Sequence, residues 1–336
     1  MMRFDTVADF ERALAGLPGP DLAARAAAGA RQAQLTKPPG SLGRLEEIAI
    51  FMAGWQGRER PRIECGRAVI FAGNHGVVAR GVSAFPAAVT AQMVANFAAG
   101  GAAINALAAG AGLSLAVVPL ALDRPTNDFT QESALAQAEC LNALNAGAQA
   151  VSDADLLVLG EMGIGNTTSA SALATASFGG TAAEWVGPGT GVDAAGLAHK
   201  VAAVEAGLAR HAGALGSSFE MLRRLGGREI AAIAGAVLAA RHARVPVVLD
   251  GFIATAAVAP LASAEPSIVD HLIAGHCSAE PGHRRLLGRL GLRPLLELNM
   301  RLGEGSGAAV AAGVIRAALA AHDGMATFAE AGVAGG

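Results

Sequence analysis

The stretch from Met300 to Ala308 contains a single acidic side chain, Glu304, which stands between two glycines. Glycines on both sides let another molecule approach the main chain closely. The preceding run is apolar, and poor solvation by apolar neighbours raises the pKa of a carboxyl group toward the range useful for proton transfer. The stretch therefore indicates a general base, although a glycine-rich turn with an exposed glutamate would give the same pattern.

A second carboxylate, Glu161, occurs in another glycine-rich segment, Gly160 to Thr168. Chemistry at a sugar carbon commonly needs one carboxylate to move a proton and a polar field to stabilise an oxocarbenium-like centre. Glu161 and Glu304 could supply these two functions. The alternative for Glu161 is a buried carboxylate that accepts hydrogen bonds from loop amides.

Two glycine turns precede predicted helices and are typical of anion sites. Gly160 to Thr168 offers free backbone N–H groups and the hydroxyls of Thr167 and Thr168. Gly187 to Asp193 is the second turn, and Lys200 lies two helical turns beyond it. Together they suggest phosphate binding. Neither is a Walker A motif or a G-x-G-x-x-G fingerprint, and each alone could be a tight connector.

Lysine is rare in this chain. Of the 25 basic residues only Lys37 and Lys200 are lysines, and the others are arginines. Lysine is a compact point charge, whereas arginine is a planar fork. This bias suggests that the two lysines have specific functions, with chance as the alternative.

The histidines give weaker indications. Three of them lie near one cysteine and one glutamate: His271, His276, His283, Cys277 and Glu280. Their spacing fits no standard zinc pattern, so we expect no metal. His75, in the turn Asn74-His75-Gly76, is a better candidate for a site residue, although it could equally brace its loop.

Short apolar runs alternate with helix-length segments along most of the chain. The runs are Ala68–Phe71, Leu115–Val118, Leu156–Leu159, Val245–Leu249, Ile268–Ile273 and Leu295–Leu298. The helical segments include Ala87–Ala98, Thr167–Phe178, Ala194–His211, Ile230–Arg241, Ile253–Leu261 and Ala308–Ala320. This alternation predicts an α/β fold, a mostly parallel sheet with helices on both faces. Several runs end in glycine turns that hold polar groups, and these turns should converge on one crevice at the carboxyl ends of the strands.

The first 60 residues are predicted to be helical. A helix is expected from Asp21 to Leu35, and Ser41 is expected to cap a second helix that ends near Trp55. Between them lies the connector Lys37-Pro38-Pro39-Gly40-Ser41-Leu42-Gly43.

Composition excludes several classes of function. Charged residues are 16% of the 336, the formal net charge is −3, aromatics are 4% and tyrosine is absent, which argues against a nucleic-acid partner. Three scattered cysteines and an N-terminus without an apolar signal core predict a reducing, cytoplasmic location. Gly81 to Leu122 has no charged residue, but polar residues interrupt it, so we expect buried structure and no membrane span.

The motifs resemble the nicotinate-nucleotide–dimethylbenzimidazole phosphoribosyltransferase family, which acts in assembly of the cobalamin (vitamin B12) nucleotide loop. The matching segments occur in family order over nearly the whole chain: 37–43, Ala72-Gly73-Asn74-His75-Gly76-Val77, 82–86, 89–93, 160–168, Gly187-Pro188-Gly189-Thr190-Gly191, 249–252, 278–283 and Arg301-Leu302-Gly303-Glu304-Gly305. One departure is visible, because many relatives have Asp-His-Gly where this chain has Asn74-His75-Gly76.

The resemblance implies a Rossmann-like large domain, residues 61–307, and a small helical domain built from residues 1–60 and roughly 308–336. It implies a homodimer that needs no metal or organic cofactor. It also implies that nicotinate mononucleotide gives its phosphoribosyl group to 5,6-dimethylbenzimidazole, yielding α-ribazole 5′-phosphate and nicotinate with inversion at the sugar carbon.

The resemblance also implies roles for individual residues. Glu304 would be the base, and Glu161 would orient the ribose or stabilise its developing positive charge. The phosphoribosyl and nicotinate side would be Gly163, Gly165, Asn166, Thr167, Lys200, Ser278 and Arg301, and the benzimidazole slot would be Ser83, Phe85 and Gln92.

Two rival functions remain open from the sequence. A dinucleotide-dependent oxidoreductase would have G-x-G-x-x-G after the first strand, and the turn after Phe71 lacks it. A non-catalytic nucleotide- or benzimidazole-binding protein would never release nicotinate.

Overall fold

A computed structural model describes residues 2–189 and 191–334. Thr190, which belongs to the second predicted glycine turn, lies outside the described residues. The strands are β1 Gly66–Ala72, β2 Ser114–Pro119, β3 Leu156–Met162, β4 Val247–Leu249 and β5 Leu272–Ala274. The helices are α1 Val7–Ala15, α2 Leu22–Gln34, α3 Arg44–Gln56, α4 Ala88–Ala98, α5 Ala103–Gly110, α6 Gln137–Gln149, α7 Asn166–Phe178, α8 Ala194–His211, α9 Ser218–Leu225, α10 Arg228–Ala243, α11 Phe252–Ala256, α12 Ala259–Ala264, α13 Pro281–Leu290, α14 Ser306–Gly324 and α15 Phe328–Ala331.

The five strands form one sheet in the order β2-β1-β3-β4-β5, and all neighbouring pairs are parallel. The chain moves outward from β1 to β2 and then returns to the other side of β1 with β3. This reversal places a topological switch point between β1 and β3, where doubly wound sheets bind ligands. The predicted α/β class, with a parallel sheet and helices on both faces, is confirmed.

Alternate strand residues enter two separate cores, as the pleat requires. Val69, Leu157 and Val247 face the core that contains α6, α7 and α10. Ala68, Val158 and Val248 face the core that contains α3, α5 and α14. Both faces are buried, which explains why the sequence of a strand such as β1 shows a continuous apolar run and no alternation.

Glycines bring helices against the strand ends and against one another. An added Cβ at Gly160 would overlap the backbone of Gly305, and one at Gly275 would lie 2.7 Å from the Cα of Ala308. The first turn of α14 therefore lies directly on the ends of β3 and β5. In the same way, Gly235 lets α10 pack tightly on α6, because an added Cβ there would overlap the backbone of Leu144.

Three local predictions are wrong. Residues 295–298 form no strand and make only an isolated parallel bridge between Leu296 and His276. Residues 266–271 form a 3-10 turn, so β5 contains only Leu272–Ala274. The cap of α3 is Gly43, with a φ of 52°, and Ser41 does not cap the helix. A short apolar run cannot by itself distinguish a strand from a packed loop.

The uncharged segment 81–122 is not buried as predicted. Within α4 only Thr90 and Phe97 are buried, and within α5 only Ile104 and Ala108. By length and composition Ala88–Gly110 is one stretch that could cross a membrane, but the structure divides it into two helices at residues 99–102. In the single chain, these helices and the edge strand β2 form an apolar surface that is exposed to solvent.

The two ends of the chain pack on opposite faces of the sheet. α3 contacts both α2 and α14, and α14 also contacts β3 and β4. Phe10 and Leu14 of α1 belong to the other core, beside α9. Leu35, after α2, and Thr327, before α15, form an isolated antiparallel bridge. The division into a small domain, residues 1–60 with about 308–336, and a large domain stays a prediction.

Candidate active site

Loops from the carboxyl ends of β3, β4 and β5 surround one crevice together with the segment that precedes α14. Its lining residues are Glu161, Met162, Gly163, Ile164, Asn166, Thr167, Gly189, Gly251, Phe252, Ile253, His276, Ser278, Glu280, Arg301, Leu302 and Gly303. The structure therefore gathers into one crevice most of the strand-end turns that the sequence predicted to converge.

A larger cleft, about 430 Å³, lies elsewhere, beside the ends of α8 and α9. Arg223 and Arg224 line it, and both pair with Glu220. None of the predicted site residues lines this cleft, so its size does not make it the catalytic site.

Glu304 sits at the edge of the crevice, immediately before α14. Only 6% of the residue is exposed, and its φ is 62°, in the left-handed region that disfavours side chains with a Cβ. Its backbone N–H donates to the carbonyl of Glu161 at 3.2 Å. Backbone strain of this kind persists where surrounding contacts over-determine the conformation, which is common at functional sites.

Asp250, the residue after β4, holds this segment in place. Its two carboxylate oxygens accept hydrogen bonds from the backbone N–H groups of Gly305 at 3.1 Å and Ala308 at 3.0 Å. A buried carboxylate at the N-terminus of α14 satisfies two otherwise free donors and interacts favourably with the helix dipole. Asp250 thus positions Glu304 through the main chain.

Glu161 is the sixth residue of β3, so it lies within the strand and not in the turn that follows it. It is paired across the sheet with Phe71, and one of its oxygens accepts a hydrogen bond from the side-chain amide of Asn166. The Cα of Gly303 lies close to its other oxygen, because a Cβ added at Gly303 would come within 2.7 Å of Oε1.

The two glutamates have different pKa values for physical reasons visible in the structure. Burial, with a smaller contribution from the charge of Asp250, raises the pKa of Glu304 to about 6. Burial, followed by the charges of Glu229 and Asp250, raises the pKa of Glu161 to about 8. At neutral pH Glu304 is therefore mostly ionised and can accept a proton, whereas Glu161 is mostly protonated.

An anion cradle lies at the N-terminus of α7. Gly165 precedes the helix with a φ of 93°, and the first two helical residues, Asn166 and Thr167, line the crevice. The N–H of Asn166 donates to the carbonyl of Gly163 and that of Thr168 to the carbonyl of Gly165, so Thr167 offers the N–H of this turn. Lys200 is almost fully buried, and its Nζ donates to Thr167 Oγ1 and to the carbonyl of Gly187, both at 3.0 Å. Burial lowers the pKa of Lys200, and Glu280 partly offsets this shift. A phosphate group matches the ammonium of Lys200 together with the N–H and the hydroxyl of Thr167.

Ser278 is held by a histidine that sequence reasoning did not select. His283 Nδ1 accepts from the backbone N–H of Ser278 at 2.9 Å, and Ser278 Oγ lies 2.9 Å from the same nitrogen. His283 Nε2 lies 3.1 Å from Thr255 Oγ1. Burial lowers the pKa of His283 to about 3, so the ring is neutral and fixes the orientation of Ser278.

The three residues predicted for the benzimidazole slot do not line this crevice. Ser83 is half-buried, Phe85 is 46% exposed, and Gln92 lies on the exposed side of α4. The hydroxyl of Thr90 connects α4 to the crevice, because it accepts a hydrogen bond from the N–H of Ile164 at 3.2 Å. The slot assignment stays a prediction.

His75 braces a loop in this structure. Its Nε2 lies 2.5 Å from Glu229 Oε1 and its Nδ1 lies 3.0 Å from Ser169 Oγ, with all of these groups buried. The side-chain amide of Asn74 donates to the carbonyl of Leu122, so an uncharged residue has a structural role at that position.

Asp250, His276 and Glu280 stand in strand-end turns that the sequence predicted to meet at the crevice, and the structure places them there. Two further buried residues, Glu229 and His283, had no site role predicted from the sequence. Glu229 lies at the start of an apolar helix that does not follow a strand, so no strand-end pattern indicated it. No group of three or more metal-binding side chains is found among the residues that the structure describes.

Comparison with known proteins decides the family. A phosphoribosyltransferase family model matches residues 17–333. A nicotinate-nucleotide–dimethylbenzimidazole phosphoribosyltransferase from Novosphingobium aromaticivorans is 68% identical over 337 residues, covering all of both chains. The chain belongs to this family. The resemblance identified from the sequence motifs is thereby confirmed.

Other relatives extend the same likeness. The protein of that name from Ruegeria pomeroyi is 60% identical over 331 residues, covering 98% of each chain. The crystal structure of the phosphoribosyltransferase of this name from Thermus thermophilus is 43% identical, with a TM-score of 0.87, and covers 94% of this chain and 100% of its own. The family model, which matches residues 17–333, spans every loop that forms the crevice.

Proposed function

We propose that this protein transfers the phosphoribosyl group of nicotinate mononucleotide to 5,6-dimethylbenzimidazole, giving α-ribazole 5′-phosphate and nicotinate for the lower ligand of cobalamin. The observation that supports the proposal is that, in a member of this family, the buried Glu304 directly follows Gly303 on the crevice wall, and Lys200 binds Thr167 on the same wall.

In this reaction the protein has one proton to move. The pyridinium nitrogen of nicotinate mononucleotide leaves as a neutral ring, so the leaving group needs no acid. The benzimidazole nitrogen attacks the sugar carbon and its ring loses an N–H proton, which Glu304 accepts. General-base assistance of this kind contributes about 10²- to 10⁴-fold in rate. Positioning both substrates in a dry crevice supplies much of the remainder.

The roles of the other side chains follow from their positions. The N-terminus of α7, Lys200 and Ser278 bind the phosphoribosyl group. Glu161 contacts the ribose. Because its raised pKa keeps it mostly protonated, it orients the sugar by hydrogen bonding and neither gains nor loses a proton in the reaction. No side-chain cluster in the described chain calls for a metal, and we assign no cofactor to the reaction.

A direct assay tests the proposed function. The protein is mixed with nicotinate mononucleotide and 5,6-dimethylbenzimidazole, and nicotinate release is followed by chromatography. We expect turnover that depends on both substrates. If the protein binds the base but releases no nicotinate from nicotinate mononucleotide with any benzimidazole, purine or phenol as the acceptor, it is a binding protein and the proposal is wrong.

We further propose that the protein acts as a homodimer that uses its uncharged surface, the exposed residues of segment 81–122. That surface has no charged side chain and includes Phe85, Ala91 and Ala95. Exposed apolar patches of this kind commonly mark interfaces between proteins. A second copy seated there would cover Phe85 and Gln92 and complete the slot for the base.

The Ala95→Arg variant tests this dimer. In sedimentation we expect the wild type to have the mass of a dimer, twice the 33.4 kDa of one chain. Ala95→Arg should have the mass of a monomer, because an unpaired arginine is costly to bury in an apolar interface. Its kcat/KM for the benzimidazole should fall at least tenfold. Ala202→Arg, on the exposed side of α8, is the matched control and should remain dimeric. A monomeric and fully active wild type would contradict the assignment.

A cytoplasmic location is consistent with the cysteines. Cys65 is exposed and Cys140 and Cys277 are buried, and all three are free thiols. Free cysteines are typical of a reducing compartment, and we propose that the protein works there.

A further inference from the structure

The cleft of about 430 Å³ beside the ends of α8 and α9, called the arginine cleft below, has the size of a small-molecule site. Backbone hydrogen bonds join its walls. The N–H of Ala134 donates to the carbonyl of Arg224 at 3.1 Å, and the N–H of Leu135 donates to the carbonyl of Arg223 at 2.9 Å. The main chain therefore fixes the shape of the cleft. Its lining residues are Asn127, Glu132, Ser133, Leu135, Ala136, Arg210, His211, Arg223 and Arg224.

Two helices bring arginine side chains to this cleft. Arg210 is in the last turn of α8, and Arg223 and Arg224 are in the last turn of α9. Burial lowers the pKa of His211, and the charges of Arg224 and Arg210 lower it further, so both guanidinium groups lie near one neutral ring. The helix dipole favours a basic side chain at the end of each helix, but it does not explain why two helices bring theirs to one cleft.

Several N–H groups of these arginines have no acceptor in the protein. Arg223 donates to Glu220 from both Nε and Nη2. Arg224 donates from Nε to Glu220 and from Nη1 to Ser133 Oγ. Arg210 donates only from Nε, to a loop carbonyl. Within the described residues, Nη2 of Arg224 and both terminal nitrogens of Arg210 therefore remain available for a ligand.

The arginine cleft is positively charged in a chain whose formal net charge is −3. Among the described residues, its lining has three guanidinium groups and one carboxylate, that of the exposed Glu132. Glu220 adds a second carboxylate beside the cleft, and two of the arginines share it. An anion bound between Arg210 and Arg224 would balance the remaining charge.

The donors and the volume fit a sugar phosphate. A phosphate group has several oxygens, so it can accept charge-assisted hydrogen bonds from two guanidinium groups at once. The cleft is much larger than a phosphate ion, and Asn127, Glu132 and Ser133 have oxygens that can accept hydrogen bonds from hydroxyl groups. Within the described chain, no Phe or Trp lines the cleft to stack on a nucleobase.

We propose that the arginine cleft binds a sugar phosphate, with Arg210 and Arg224 on the phosphate group and Asn127 and Glu132 on the hydroxyl groups of the sugar. The site is separate from the catalytic crevice, because the two share no lining residue. The inference goes beyond the proposed function and does not depend on it.

Calorimetry with ribose 5-phosphate tests this site. Nicotinate mononucleotide at a saturating concentration occupies the catalytic crevice during the titration, so that binding to the arginine cleft is measured separately. We expect one ribose 5-phosphate per chain with a Kd below about 1 mM. Inorganic phosphate should bind more weakly, and ribose should not bind.

Variants assign the binding to the two arginines. Arg210→Gln/Arg224→Gln should weaken ribose 5-phosphate binding at least about tenfold, because charge-assisted hydrogen bonds are lost. Arg224 also pairs with Glu220, so Arg210→Gln alone is the second variant and should weaken binding without disturbing an ion pair. Arg289→Gln, at an exposed arginine in the last turn of α13, is the matched control and should bind as the wild type does. Nicotinate release at the wild-type rate shows that each variant is folded.

The outcomes separate this inference from the proposed function. Absence of ribose 5-phosphate binding to the wild type, or equal affinity in the wild type and both arginine variants, would overturn the proposal. Inorganic phosphate that binds as tightly as ribose 5-phosphate would overturn it too, because the sugar would then not be recognised. A crevice that fails to bind nicotinate mononucleotide would instead contradict the proposed function, and the arginine variants would still show whether the cleft binds ribose 5-phosphate.

Discussion

Glu304→Gln is expected to lower kcat by about 10²- to 10⁴-fold, because it removes the only group assigned to accept the N–H proton of the base. Glutamine preserves the size of the side chain, so the left-handed backbone at this position and the hydrogen bonds of Asp250 should be retained. Nicotinate release at saturating substrates measures kcat, and calorimetry with 5,6-dimethylbenzimidazole should show binding close to that of the wild type.

The pH dependence gives a second measurement of the same role. The pKa of Glu304 is raised to about 6, so the base is ionised above that pH and protonated below it. The kcat/KM of the wild type should therefore fall as the pH decreases through about 6, and Glu304→Gln should lack this dependence. Glu297→Gln, at an exposed carboxylate paired with Arg284, serves as the control and should behave as the wild type. A near-normal rate for Glu304→Gln would remove this residue from catalysis.

Asp250→Ala is expected to reduce the free energy of unfolding by about 2–6 kcal/mol. Two buried backbone N–H groups, those of Gly305 and Ala308, lose their acceptor, and each such loss contributes about 1–3 kcal/mol. Activity should fall sharply as well, because the segment that carries Glu304 is no longer held. Thermal or urea denaturation, together with the nicotinate assay, measures both effects.

Two further variants separate the contributions of Asp250. Asp323→Ala removes an exposed partner of Arg60 and should change the free energy of unfolding by less than about 1 kcal/mol. Asp250→Asn removes the negative charge that helps to raise the pKa of Glu304. The acid limb of its pH–rate profile should therefore shift to lower pH. If Asp250→Ala had the same free energy of unfolding as the wild type, α14 would not depend on this carboxylate.

The sequence determined the main features of the fold through local rules. Four of the six apolar runs coincide with strands, and α8 begins and ends at the predicted residues, Ala194 and His211. Because parallel strands have all their carboxyl ends at one edge, glycine turns after such runs had to meet there. The sequence pattern alone therefore predicts that Glu161, Gly163 and Gly303 lie at one crevice, where the structure has them.

The run Leu295–Leu298 shows the limit of this reasoning. It has the composition of a strand, but β5 occupies the edge of the sheet and leaves these residues only one bridge, to His276. The uncharged segment 81–122 was predicted to be buried for a similar reason, since hydrophobicity does not reveal whether the same chain or a second one covers a surface.

What the sequence determined by itself was the class of the sheet, the edge that holds the site, and the family to which the motifs belong. Only the tertiary structure decided that Asp250 holds the segment of Glu304, and that the pKa values of Glu161 and Glu304 separate to about 8 and about 6. The physical reason is that burial and charge act through space. A carboxylate is shifted by whatever side chains surround it, and those side chains come from strands and helices that are far apart in the chain.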